Sequence, residues 1–268
     1  MLFYHKFNKI NAILLPSIVL LLFWLPLILW LTKTLLGGHV EIPETFPILE
    51  LLERTFNISI AIAIMSVLAA YPIAIMWRLC SRGLKWGFAL TLMIPLAVGF
   101  LARNYSWIGM LSGNTFWSSM GWYIFRSERL LYSEISLYLV MTAIFIPIAF
   151  FIIIQGIKSV RSEQIYAARI LGLADWKILF FVVIPMTLRA AVISLGFIFI
   201  MSTGYFVTPR MIGAGKYDFV GNAILIFLNL GRFDSASTIS LIFLVSLIVP
   251  VSLIAYYTIK RRQQLMGR

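Results

Sequence analysis

Along the 268 residues, apolar positions gather in long runs separated by shorter charged stretches. Runs with little or no charge cover residues 10–32, 55–77, 86–102, 135–157, 190–209 and 235–259. A membrane-spanning helix needs about 20 mostly apolar residues. The pattern therefore predicts an all-α integral membrane protein with about six transmembrane helices. Pro26, Pro72, Pro95 and Pro147 fall inside the first four runs, where membrane helices tolerate proline because neighbouring groups and water re-satisfy the freed carbonyls. The first run follows Lys6 and Lys9 but is too long for the h-region of a signal peptide, so it is expected to remain as the first span.

Composition agrees with this class. Hydrophobic residues make up 61% of the chain and charged residues 12%, against about 45–50% and about 25% in soluble domains. No stretch suits a soluble domain, and residues 1–268 read as one transmembrane domain. Cys80 is the single cysteine, so no internal disulfide framework exists, and with no CxxC or Cys/His cluster no metal site is expected.

Charge sets the orientation. With the N-terminus inside, the inner segments hold 14 of the 22 basic residues and only Glu163 and Asp175 of the ten acidic ones. The whole net charge of +12 then lies on one face, which by the positive-inside rule predicts both termini in the cytoplasm. The basic balance thus points to topology and anionic lipid, not to nucleic acid. Two outer segments are long: 103–134, with Trp107, Trp117 and Trp122, reads as an interfacial loop with short helical or re-entrant pieces. In 210–234 the apolar run 219–231 is too short to span, so it is expected to be re-entrant or to lie at the surface.

The inner segment 158–189 is longer than a simple helix connection requires. Ser162 is placed to cap a helix that begins with Glu163 and continues through Ala167, Ala168 and Arg169. Gly172 supplies a turn, Asp175 is placed to cap a second helix, and Pro185 is expected to end it before span five. Two adjacent alanines before a tight turn let another surface approach closely. The segment has the form of a docking element.

This stretch resembles the EAA loop of ABC importer permeases, whose consensus is E-A-A, three residues, G, nine residues, I, any residue, L-P. Here Ala167 and Ala168 are the alanines, Gly172 follows at the required spacing, and 182–185 reads Val-Val-Ile-Pro. Tyr166 stands where the family has its acid, and Glu163 is similar to a further upstream acid. The segments 54–78, 100–111 and 204–215 also look like their counterparts in spermidine/putrescine-type permeases, so the resemblance covers about residue 50 to the end.

The resemblance implies a permease subunit of a bacterial ATP-driven importer in the inner membrane. Its partners would be two ABC ATPase subunits, a second and different permease, and a periplasmic substrate-binding protein. Glu163, Tyr166, Ala167, Ala168, Gly172 and Asp175 would form the coupling element for the ATPase. ATP and Mg would be bound by that partner, so this chain would need no cofactor and catalyse nothing. ATP-driven closure of the ATPase pair would rock the spans between inward- and outward-facing states.

Polyamine is the solute class the resemblance suggests, although Tyr205 stands after Gly204 where polyamine permeases often have an acid. An importer of another small solute, such as an amino-acid derivative, a phosphonate or iron, remains open, as does a stand-alone carrier. For the pathway, the polar positions at hand are Arg103, Asn104 and Tyr105 near the third run and Ser202, Thr203, Tyr205 and Thr208 near the fifth. Arg103 suits either an anchor at a helix end or the wall of an outer vestibule, and the hydroxyls of span five suit either helix packing or pore lining. His, Asp and Glu are absent from all six runs, which removes the usual chemistry of an intramembrane enzyme or a proton-coupled carrier.

Overall fold

The computed structural model describes Leu25, Lys33 and residues 46–112 and 130–265, and among the described residues every regular element is helical. In chain order these are α1 (Ile48–Leu79), α2 (Arg82–Ala97), α3 (Phe100–Leu111), α4 (Glu134–Ser159) and α5 (Ser162–Ile170). They continue with α6 (Asp175–Thr203), α7 (Val207–Ile212), α8 (Val220–Asn229) and α9 (Phe233–Leu265). Helices α1, α4 and α6 are long and apolar enough to cross a membrane, and α2 with α3 adds a fourth crossing if that bent pair is one span. Apart from Leu25, the expected first span, 10–32, and most of the expected outer loop 103–134 beyond Ser112 lie outside the described residues. The sixth expected run falls within α9.

The chain divides into two compact units. The larger comprises residues 47–223 and 245–268, and its core is the mutual packing of α1, α4 and α6. On α1 the inward positions are mostly small, with Ser59, Ala63, Ser66, Ala70 and Ala74 buried, whereas Ile60, Ile64, Met65 and Leu68 stay exposed. A soluble helix shows polar residues on its outer face. An outer face of this kind suits hydrocarbon, and an inner face of small residues suits close helix packing there. Gly156 of α4 gives a tight approach between these helices: a Cβ added to it would lie 2.5 Å from the Ala190 Cβ of α6. The second unit comprises residues 1–46 and 224–244; within it the Phe46 and Phe227 rings meet edge to face at 5.2 Å.

Several elements depart from the expectations of the sequence. Helix α1 begins at Ile48, about two turns before the apolar run, because Glu50 and Arg54 pair across one turn at 3.3 Å and tolerate the helical end. The third run is not one straight span. It breaks at Val98, in extended conformation, and Gly99, which is also non-helical, and α3 leaves α2 at 98°. Residues 103–111 are thus one of the short helical pieces expected in 103–134, continuous with the end of the third run.

Pro185 does not end a helix. The segment Leu179–Val183 forms a π-helical turn, and Pro185 enters within the first two positions of the α-helical stretch that follows. The wider turn accommodates a residue that lacks an N–H and would crowd the preceding carbonyl in a regular helix. Helix α6 consequently runs 29 residues without interruption. At its far end the helix stops at Thr203, so Tyr205 lies in a linker and Thr208 in the separate helix α7, not in span five.

Candidate functional site

The connector between α4 and α6 is anchored before it projects. Arg78, at the end of α1, donates from Nη1 to the Ile157 carbonyl and from Nη2 to the Val160 carbonyl at 2.8 Å. The Ile157 carbonyl lies in the last turn of α4, where it also accepts from the Val160 N–H at 3.3 Å, and the Val160 carbonyl belongs to the residue that caps the helix. A cation there also suits the negative end of the helix. The chain then turns at Arg161, whose N–H is accepted by the Gln164 side chain at 3.1 Å. The cap is thus Arg161 with Gln164, and Ser162 is already helical, contrary to its expected capping role.

Helix α5 ends in a Schellman turn. Leu173 N–H donates to the Ala168 carbonyl at 3.2 Å and Gly172 N–H to the Arg169 carbonyl at 2.9 Å, with Gly172 at φ +77°. A Cβ at Gly172 would meet nothing within 4 Å, so glycine answers a conformational need here and not a steric one. Asp175 does not cap α6; Ala174 holds that position. The Asp175 carboxylate instead accepts from Arg169 Nε at 3.1 Å and Nη2 at 2.9 Å, fastening both sides of the turn. Both side chains are exposed, so the pair is worth at most about 1 kcal/mol.

The faces of α5 are unequal. Ala168 is 6% exposed and points inward, so of the two alanines only Ala167 is on the outer surface. Tyr166 and Ile170, one turn apart, share the outer face, and Ile170 and Leu171 are 86% and 80% exposed. Trp176 is exposed across the turn, with the Lys177 ammonium 5.5 Å from its ring centre. Glu163 lies in the first turn, where an acid suits the helix dipole. An apolar tip of this kind on a polar connector was not singled out from the sequence. Its signal is the pair Ile170-Leu171 placed directly before the turn glycine.

Near the bend of α2 and α3, a second group of polar side chains meets. Arg103 donates to the Pro95 carbonyl at 2.9 Å and to the Tyr205 hydroxyl at 3.4 Å, while its Nε is buried without a partner. Thr208 donates to Asn104 Oδ1 at 2.7 Å, a fully buried bond that ties α7 to α3. The Tyr205 ring stands edge-on to Phe145 of α4 at 5.8 Å. The structure thus brings Arg103, Asn104, Tyr205 and Thr208 together, whereas Tyr105 is exposed. Ser202 and Thr203 are buried and bond back to the Phe199 and Ile200 carbonyls of their own helix, the packing role of such hydroxyls.

No family model matches the chain. Among curated proteins it is similar to the inner membrane ABC transporter permease protein YdcU of Escherichia coli (strain K12), with 23% identity over 227 residues, 78% of this chain and 69% of that one. It also superposes on a chain of a bacterial ABC transporter involved in the import of the acidic polysaccharide alginate, with a TM-score of 0.68 and 16% identity over 94% and 95% of the two chains. The fold is that of an ABC transporter permease. An inward-facing MetNI methionine ABC transporter is similar with a TM-score of 0.58 and 18% identity, over 85% of this chain and 100% of the other. Within the ABC-permease fold of this chain, the apolar tip at Ile170 and Leu171 is the outstanding surface of the α4–α6 connector.

Proposed function

We propose that this chain is the membrane-spanning permease subunit of a bacterial ABC importer, with the α5 tip as its coupling element for an ATPase subunit. One observation carries the reading: an exposed apolar tip is continuous, through a short turn, with an unbroken 29-residue helix. Seating Ile170 and Leu171 in a cleft would contribute roughly 1.5–3 kcal/mol each, enough to hold a connector that the Gly172 turn has already shaped. Displacement of the tip is then delivered to α6, which reaches about 43 Å at 1.5 Å per residue and ends beside Tyr205. ATP hydrolysis belongs to the partner. The reading places the tip in the cytoplasm, both termini on that side, the protein in the inner membrane, and a second permease and a periplasmic binding protein in the complex.

For the solute, resemblance to the spermidine/putrescine-type permeases favours a polyamine. The group around Arg103 favours a second reading, an anionic or zwitterionic solute. A guanidinium with a free buried Nε adjoins Tyr205, and none of the ion pairs among the described residues involves Arg103. Purification of the chain from its native membrane in mild detergent, followed by mass spectrometry and an ATPase assay, tests the assembly. Recovery of an ATPase and a second permease is expected, and recovery of this chain alone from a demonstrably gentle extraction would overturn it. Screening the co-encoded binding protein against spermidine, putrescine and carboxylate-bearing solutes separates the two solute readings.

A further inference from the structure

Two adjoining cavities lie beside the root of the connector, in the larger unit. The first, about 530 Å³, is lined by Trp77, Arg78, Lys85, Lys158 and Arg161, and by one acid, Glu163. The second, about 320 Å³, shares Trp77, Lys85 and Lys158 with it and continues along Trp86, Ala89, Phe150, Phe151 and Ile154, with Arg82 and Gln155 also on its wall. The Lys85 and Lys158 ammonium groups stand 5.1 and 5.3 Å from the centre of one indole ring, that of Trp77. The ring itself is held by its Nε1 donating to the Lys85 carbonyl at 3.1 Å and by its edge contact with Phe150. Neither lysine, nor Arg82 or Arg161, is within ion-pairing distance of a carboxylate among the described residues. Five basic side chains converging on one carboxylate leave an excess of positive charge, which is unfavourable unless an anion joins them.

We propose that these cavities form one site for an anionic phospholipid of the adjacent leaflet. The phosphate sits between Lys85 and Lys158, with Arg82 and Arg161 adding charge, and an acyl chain follows the apolar wall of Phe151, Ile154 and Ala89. A free phosphate has no use for that apolar wall, and a zwitterionic lipid brings a further cation to a site already rich in them. Basic pockets between spans at a membrane surface are suited to such headgroups. Arg78 also clamps the end of α4 at this point, so an occupied site braces the connector's root. The placement rests on the proposal that the connector end lies at a membrane surface, but its test reads lipid on the chain itself and needs no transport.

Native mass spectrometry of the purified full chain, delipidated and then titrated with phosphatidylglycerol, phosphatidylcholine or inorganic phosphate, decides the matter. Phosphatidylglycerol is expected to bind, and to bind roughly 30-fold more weakly in the Lys85→Gln, Lys158→Gln double variant, at roughly fivefold per basic residue. Lys158→Arg is expected to retain it, and Ala89→Trp to weaken it by filling the acyl groove. The thermal midpoint of each variant in lipid-free detergent checks folding, and Lys158→Gln alone, at an exposed position, serves if the double variant fails to fold. Equal phosphatidylglycerol binding in variant and parent would overturn the proposal. So would equal binding of phosphatidylcholine, or displacement of the lipid by millimolar inorganic phosphate.

Discussion

Replacing Gly172 by valine isolates what the connector turn contributes. Gly172 sits at φ +77°, and a side chain added there has open space for 4 Å around its Cβ, so the cost is conformational alone. A left-handed backbone costs an ordinary L-residue roughly 1–2 kcal/mol, and a β-branched residue is less tolerant still. A shift of about 2 kcal/mol lowers the ratio of native to non-native turn about 30-fold. The two Schellman bonds from Gly172 and Leu173 are then lost, and the Ile170 and Leu171 tip is no longer presented as a unit. Because α5 contributes only Ala168 to the buried apolar residues, insertion and overall folding are expected to persist. Uptake of solute into proteoliposomes that contain the complete importer, with ATP supplied to the ATPase, is the assay. Gly172→Val is expected to reduce uptake at least tenfold at unchanged membrane content, and Gly172→Asn, which accepts the left-handed region, to recover most of it. Undiminished uptake by Gly172→Val would refute the reasoning, as would equal loss in Gly172→Asn.

Three further outcomes are expected. Arg78→Ala removes two charged hydrogen bonds from the end of α4 and should cost about 2–4 kcal/mol in detergent unfolding, with Arg78→Lys recovering only part because an ammonium cannot fork between both carbonyls. Gly156→Ala should lower the thermal midpoint through overpacking worth about 1–3 kcal/mol, and Ala190→Gly in the same chain should restore part of it, since the two Cβ positions clash at 2.5 Å. A membrane-impermeant maleimide should spare Cys80 in intact spheroplasts and label it in inverted vesicles, because the half-exposed thiol follows α1 directly at the connector end; labelling from outside would reverse the orientation.

The membrane-spanning helices were largely legible because hydrocarbon imposes a length and a composition that a sequence displays directly. The run 135–157 matches α4 almost residue for residue, and the run 55–77 lies within the longer α1. Breaks and continuations were not legible. Pro95 and Pro185 look alike in sequence, yet α2 ends two residues after Pro95, where Arg103 caps a freed carbonyl, while Pro185 is absorbed by a π-helical turn. The outcome depends on partners distant in the chain. In the candidate site, Gly172 was readable from local turn chemistry. The roles of Arg78, Lys85 and Lys158 were not, because each depends on a neighbour across the bundle. Ser202 and Thr203 resemble pathway residues by type alone and prove to bond within their own helix.

The most direct test of the account is photocrosslinking from the tip. A benzophenone amino acid at Leu171, irradiated in native membranes, is expected to trap an ABC ATPase subunit. The same probe at Leu68, which is exposed midway along α1, is expected to trap none. Labelling of the ATPase from Leu171 that Gly172→Val abolishes would match the predicted docking. Failure to capture any ATPase from Leu171, in membranes where the intact importer is active, would contradict the claim that this tip is the coupling element.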